Sequence, residues 1–96
     1  MRVGVLVPGL LRSYTAGADR VDVDVIPAAG TGQPTLGDGL AALDREFPGL
    51  RFRIIDEQGR VRPHIKLFVD GMQAPALAAP LRPGATLMIV GALSGG

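Results

Sequence analysis

The stretch that decides the fold is Thr35-Leu36-Gly37-Asp38-Gly39-Leu40-Ala41-Ala42-Leu43-Asp44-Arg45-Glu46-Phe47-Pro48-Gly49. Thr35 suits an N-cap, and Asp38 three residues later makes a shortened capping box. Leu36, Leu40, Leu43 and Phe47 then recur at helical spacing and form one apolar stripe. Pro48-Gly49 stops the pattern. Gly37 and Gly39 each cost about 1 kcal/mol of helix propensity, so this helix must be held by packing against something else.

That something is read on either side of it. Upstream, Arg2 to Val7 is Val-rich and stops at Pro8-Gly9, a strand ending in a turn. Val21-Asp22-Val23-Asp24-Val25 alternates strictly, a half-buried strand with its valines inward. Ser13 to Gly17 is expected to be the hairpin loop between these strands, and Pro27 to Pro34 a loop into the helix. Downstream, Leu50 to Ile55 is open between a short strand and an irregular segment, and Asp56 to Gly59 reads as a turn. Ile65 to Val69 is a clear strand closed by Asp70-Gly71. Ala74 to Pro80 reads as loop, and Arg82-Pro83-Gly84 as a turn. Thr86 to Val90 is the last strand. Two strands, one helix and two or three more strands predict an α+β fold, a sheet with one helix across one face.

Composition narrows the function classes. The 96 residues suffice for one domain, and the chain carries 47% hydrophobic and 20% charged residues, a globular balance. A net charge of +1 gives no reason to expect nucleic acid or an anionic membrane as partner. There is no cysteine, which removes disulfides, thiolate metal sites and a cysteine nucleophile, and fits a cytoplasmic location. Arg2 and the apolar run from Val3 to Leu11 imitate a leader, but Pro8-Gly9 interrupts the run and its alternation suits a strand. The lone His64 makes no metal site and reads as a strand-edge residue. The Gly30 to Thr35 loop lacks the Lys-Ser/Thr pair of a phosphate loop. Asp22, Asp24, Asp56 and Glu57 read as solvated charges.

Strand alternation makes one further expectation. If Val3, Val5, Val7, Ile65, Leu67, Val69, Leu87 and Ile89 face the helix, then Leu6, Phe68, Met88 and Val90 share the opposite face. Four apolar residues on a face that should be polar suggest a protein-docking patch, with Arg2, Arg12, Lys66 and Arg82 as its rim.

The whole length resembles the ThiS/MoaD family of ubiquitin-like sulfur carriers. The likeness runs through the Val-rich first strand into Leu10-Leu11-Arg12 and the Thr35-initiated helix ending Phe47-Pro48-Gly49-Leu50. It continues from Ile54-Ile55-Asp56 to Arg62, and through His64-Ile65-Lys66-Leu67-Phe68-Val69-Asp70-Gly71, which is similar to the cysteine-synthesis, CysO-like branch. It closes with Leu81 to Val90 and the ending Gly91-Ala92-Leu93-Ser94-Gly95-Gly96. Two departures stand out: Gly91 occupies a position where the nearest carriers tend to have Pro, and the 27–34 loop is long. The first implies a looser tail, and the second puts in doubt any partner contact made there.

The resemblance implies a β-grasp domain over 1–90, with the first and last strands side by side and parallel, and a diglycine tail over 91–96. It implies that a ThiF/MoeB-like activating enzyme uses ATP to adenylate the Gly96 carboxylate. A sulfur donor then leaves a thiocarboxylate there, and a sulfur-accepting synthase consumes it. The chain itself would bind no cofactor and would be a monomeric protein co-substrate rather than an enzyme. Glycine at 95 and 96 lets the tail thread a narrow channel and leaves the carbonyl open to attack. With 14 Gly in 96 residues, a chance terminal pair arises in about 2% of such chains, so the pair gains weight only with the resemblance. The alternatives are a stable small subunit of molybdopterin synthase, a ubiquitin-like modifier joined to lysines, and a binding module whose diglycine is idle.

Overall fold

The helical stripe and the strand alternation both find partners. In the computed structural model, which describes residues 1–28, 30, 32–74 and 76–91, helix α1 (Leu36–Glu46) buries Leu36, Leu40 and Leu43. They pack with Val3, Val5, Val23, Leu67, Leu87 and Ile89 of the sheet in one core. The sheet contains β1 (Arg2–Leu6), β2 (Arg20–Asp24), β3 (Ile65–Val69), β4 (Met72–Gln73) and β5 (Thr86–Gly91), in the order β2-β1-β5-β3-β4. Among the described strands only β1 and β5 are parallel, and they lie side by side near the centre. The core depends on this pairing, because it brings Val5 beside Leu87 on the face toward α1.

The expected capping box is present. The Asp38 N–H donates to the Thr35 hydroxyl at 3.3 Å, and the Thr35 N–H donates to the Asp38 carboxylate at 2.9 Å. The helix start is also tied to the 77–81 segment. Leu36 N–H donates to the Ala79 carbonyl at 2.8 Å and Gly37 N–H to the Leu77 carbonyl at 2.9 Å. Phe47 ends the stripe half-buried at the C-cap.

Several local readings change. Leu50–Ile54 is a helical turn, α2, and neither a strand nor irregular. Leu50 and Ile54 are fully buried while Phe52 is 54% exposed. A strand would put positions 50, 52 and 54 on one face; the helical i, i+4 spacing buries the outer two and expels the middle one. Gly49, at φ 94°, makes the left-handed turn into α2, and the Asp44 carboxylate accepts from the Gly49 and Arg51 N–H groups at 3.1 and 3.2 Å. The expected 13–17 hairpin loop is in larger part a 3₁₀ helix, Gly9–Thr15, wound so that Leu11 and Thr15 are buried. The Thr15 hydroxyl donates to the Ala18 carbonyl at 2.8 Å. Asp70 and Gly71 take positive φ, 50° and 85°, the hairpin turn expected there, and it leads into the unforeseen edge strand β4.

At the other end β5 runs one residue past Val90. Gly91 pairs with Ile65 and lies under the Leu10 side chain, so the departure at Gly91 leaves that residue inside a strand. Gly95 and Gly96 lie outside the described residues. No helix among the described residues is long and apolar enough to cross a membrane.

Candidate functional site

The register assembles the outer face of the sheet. Leu6 of β1 sits opposite Met88 of β5, and Met88 sits opposite Phe68 of β3. Val90, two residues along β5, faces Lys66. Leu6, Phe68 and Met88 are half-buried and Val90 is 37% exposed, so the four expected residues form one strip across three strands, on the side away from α1. The residues expected to face the helix are buried, with Val69 half-buried at the strand end.

The strip continues into an open groove of about 530 Å³ at the C-terminal ends of β1 and β5. Leu6, Pro8, Arg12, Met88, Val90 and Gly91 line it, with Arg20 and Asp19 at the rim. Arg12 is fixed there because its Nε donates to the Val7 carbonyl at 3.0 Å. Arg20 lies across Gly4 toward Asp22, at 3.7 Å, and a Cβ at position 4 would collide with its guanidinium. Glycine at position 4 thus lets an ion pair close one side of the apolar strip. Of the expected rim, Arg12 and Lys66 are in place. Arg2 shares the face but pairs with Asp24 at 3.5 Å. Arg82 precedes the turn into β5, at the opposite end of that strand from Val90.

Other candidates separate from this site. Asp56 organises its turn: its carboxylate accepts from the N–H groups of Gln58 and Arg60 at 2.9 and 3.0 Å. The Arg60 N–H bond is the main cause that holds its carboxyl below the usual carboxylate range. Desolvation opposes this, while the Gln58 N–H and the charges of Arg60 and Arg62 reinforce it. His64 lies just before β3 in a second, smaller groove with Leu10, Phe52 and Arg62. No cluster of metal-ligating side chains occurs among the described residues. The sequence reading missed Leu10 and Phe52; the only available signals were the Leu10-Leu11 doublet and an aromatic between Arg51 and Arg53.

A mixed sheet with a parallel central pair and one helix packed on one face defines a ubiquitin-like β-grasp protein. No protein-family profile matches the sequence, and no curated protein does. Solved structures do. SAMP1 from Haloferax volcanii is 30% identical over 100% of both chains, with a TM-score of 0.80. CysO of Amycolatopsis orientalis, solved as the BexX/CysO complex, is 25% identical with a TM-score of 0.79, covering 98% of this chain and 99% of that one. Mycobacterium tuberculosis CysO shares the fold at 24% identity and a TM-score of 0.78, over 95% and 99% of the two chains. The chain belongs to the ThiS/MoaD family of ubiquitin-like carrier and modifier proteins, in the neighbourhood of CysO and SAMP1.

Proposed function

We propose that the chain is a sulfur carrier whose reactive group is the Gly96 carboxylate. A ThiF/MoeB-like enzyme joins that carboxylate to the AMP part of ATP and releases pyrophosphate. A sulfide equivalent attacks the acyl carbon and expels AMP, leaving a thiocarboxylate. The thiocarboxylate sulfur then attacks an activated carbon of a biosynthetic substrate on an accepting synthase, in cysteine, molybdopterin, thiamine or natural-product synthesis, expelling the activating group and joining carrier to substrate as a thioester. Water then cleaves the acyl–sulfur bond, which leaves the sulfur on the substrate and regenerates the Gly96 carboxylate.

The observation that carries this reading is the course of β5. It crosses the apolar strip at Met88 and Val90 and reaches the groove at Gly91, immediately before the segment that ends Gly95-Gly96. A partner seated on Leu6, Phe68, Met88 and Val90 would receive the tail from a fixed point, while the chain needs no catalytic group of its own. Adenylation tests it. With ATP and the host's activating-type enzyme, the protein should release pyrophosphate stoichiometrically, and deletion of Gly96 should abolish release. Equal release from the deleted chain would remove Gly96 from the chemistry.

One observation favours a second reading. A Haloferax volcanii relative 30% identical to this chain is a small archaeal modifier protein. A modifier would use the same adenylate but join Gly96 to lysine side chains, so lysine-linked Gly95-Gly96 remnants in digests of host extract would select it.

A further inference from the structure

Beside the root of the tail, on the side away from the sheet strip, the surface carries apolar groups and cations that the carrier chemistry does not use. Phe52 is 54% exposed and Leu10 is 40% exposed. Neither position is accidental. The Arg62 guanidinium lies 4.6 Å from the centre of the Phe52 ring, and Arg62 Nε donates to the Phe52 carbonyl at 2.8 Å. One side chain therefore pins both the ring and its backbone and holds the aromatic outward. Leu10 closes over Gly91, so the same patch touches the last residue of β5.

Leu10, Phe52, Arg53, Arg62 and His64 line a groove of about 260 Å³ here, and no carboxylate lines it. Among the described residues, Arg53 and Arg62 form no ion pair. The carboxylate whose titration Arg62 influences, Asp56, is engaged with Arg60 at 3.5 Å. An exposed aromatic, an aliphatic side chain and two guanidinium groups that carry no ion pair among the described residues match the composition of a protein hot spot, with charge complementary to an acidic surface.

We propose that this α2 face is a second docking surface, for a protein segment that presents carboxylates around one apolar side chain. It is distinct from the Leu6, Phe68, Met88 and Val90 strip and lies across the tail root from it. Because Leu10 covers Gly91, the occupant is a segment of the partner that receives the tail, which then grips the tail root and both surfaces together. The assignment of the occupant as a tail-receiving partner rests on the carrier reading; the charge and shape of the surface do not.

The test is a titration of isotope-labelled full-length protein with the blocked pentapeptide Asp-Glu-Leu-Asp-Glu at low salt, followed by amide chemical shifts. Shifts should concentrate at residues 10, 52, 53, 62 and 64 and diminish as salt screens the charges. R53E and F52Q both alter exposed side chains; each should weaken binding by about tenfold or more. R45E, on the exposed side of α1, should leave binding unchanged. Shifts centred on Leu6, Phe68 and Met88, or spread over Arg45, Arg51 and Arg82 alike, overturn the proposal, as does equal weakening by R45E and R53E. Measuring thiocarboxylate on the wild-type chain separates the two ideas. Sulfur loading without localised peptide binding removes only this surface, and localised binding without loading removes only the carrier reading.

Discussion

Two glycines in one helix should respond to alanine with opposite signs. By helix propensity alone, Gly37→Ala and Gly39→Ala each stabilise by up to about 1 kcal/mol. A Cβ at position 37 meets ordinary contacts, the Leu77 carbonyl oxygen at 3.5 Å and Leu77 Cβ at 3.7 Å. A Cβ at position 39 stands 2.9 Å from Leu81 Cδ1. Carbon atoms settle at about 3.5–4.0 Å, so something must move by about 0.6 Å or more. Leu81 has little freedom, since it is fully buried and its N–H donates to the Pro34 carbonyl at 2.8 Å. Overpacking of this kind costs about 1–3 kcal/mol, which exceeds the propensity gain. We therefore expect Gly37→Ala to stabilise by about 0.5 kcal/mol and Gly39→Ala to destabilise by about 1 kcal/mol. Urea melts give both values from midpoints at constant slope. Leu81→Val should absorb part of the Gly39→Ala penalty, with a coupling of about 0.5–1 kcal/mol. If Gly39→Ala stabilises as much as Gly37→Ala, or the coupling is zero, the packing argument is wrong.

Other expectations follow from single groups. Thr35→Ala removes the acceptor for the Asp38 N–H and should cost about 1 kcal/mol, read as a fall in Tm of about 4–8 °C. Asp56 has a lowered folded-state pKa, so its contribution is present above the unfolded carboxylate value and is lost as pH falls through the folded one. Amide protection factors across 56–60, taken relative to intrinsic exchange at each pH, should therefore fall in acid, and Asp56→Asn should flatten that pH dependence. Phe68→Glu puts a charge in the middle of the apolar strip on a half-buried site. Adenylation by the activating enzyme should be lost while the melting transition persists; unchanged adenylation would show that the strip does not dock that enzyme.

The legible parts of the sequence were those where one period dominates. The 36–47 stripe and the valines of β1 and β2 each bury one face, so spacing alone located them. The same alternation put Leu6, Phe68, Met88 and Val90 on a common face, and strand register then made them neighbours. Leu50 to Ile54 was illegible because Leu50, Phe52 and Ile54 fit a strand face by alternation. Only the tertiary burial of two of them, beneath an exposed ring, decides for a helix. The 3₁₀ segment failed for a similar reason: Leu11 is drawn into the core by packing that no local pattern announces. The Phe52, Arg62 and Leu10 patch was hidden because its members lie on three separate segments. The parallel pairing of β1 with β5 came from family resemblance, since periodicity carries no information about which strands are neighbours.

The central claim concerns one atom. Intact-mass analysis of the protein purified from its native host, grown with the sulfur pathway active, reads it directly. The carrier account predicts a species in which one oxygen of the Gly96 carboxylate is replaced by sulfur, and its disappearance when Gly96 is deleted. A host holding every pathway enzyme that yields only the oxygen form, or only lysine-linked adducts, contradicts it.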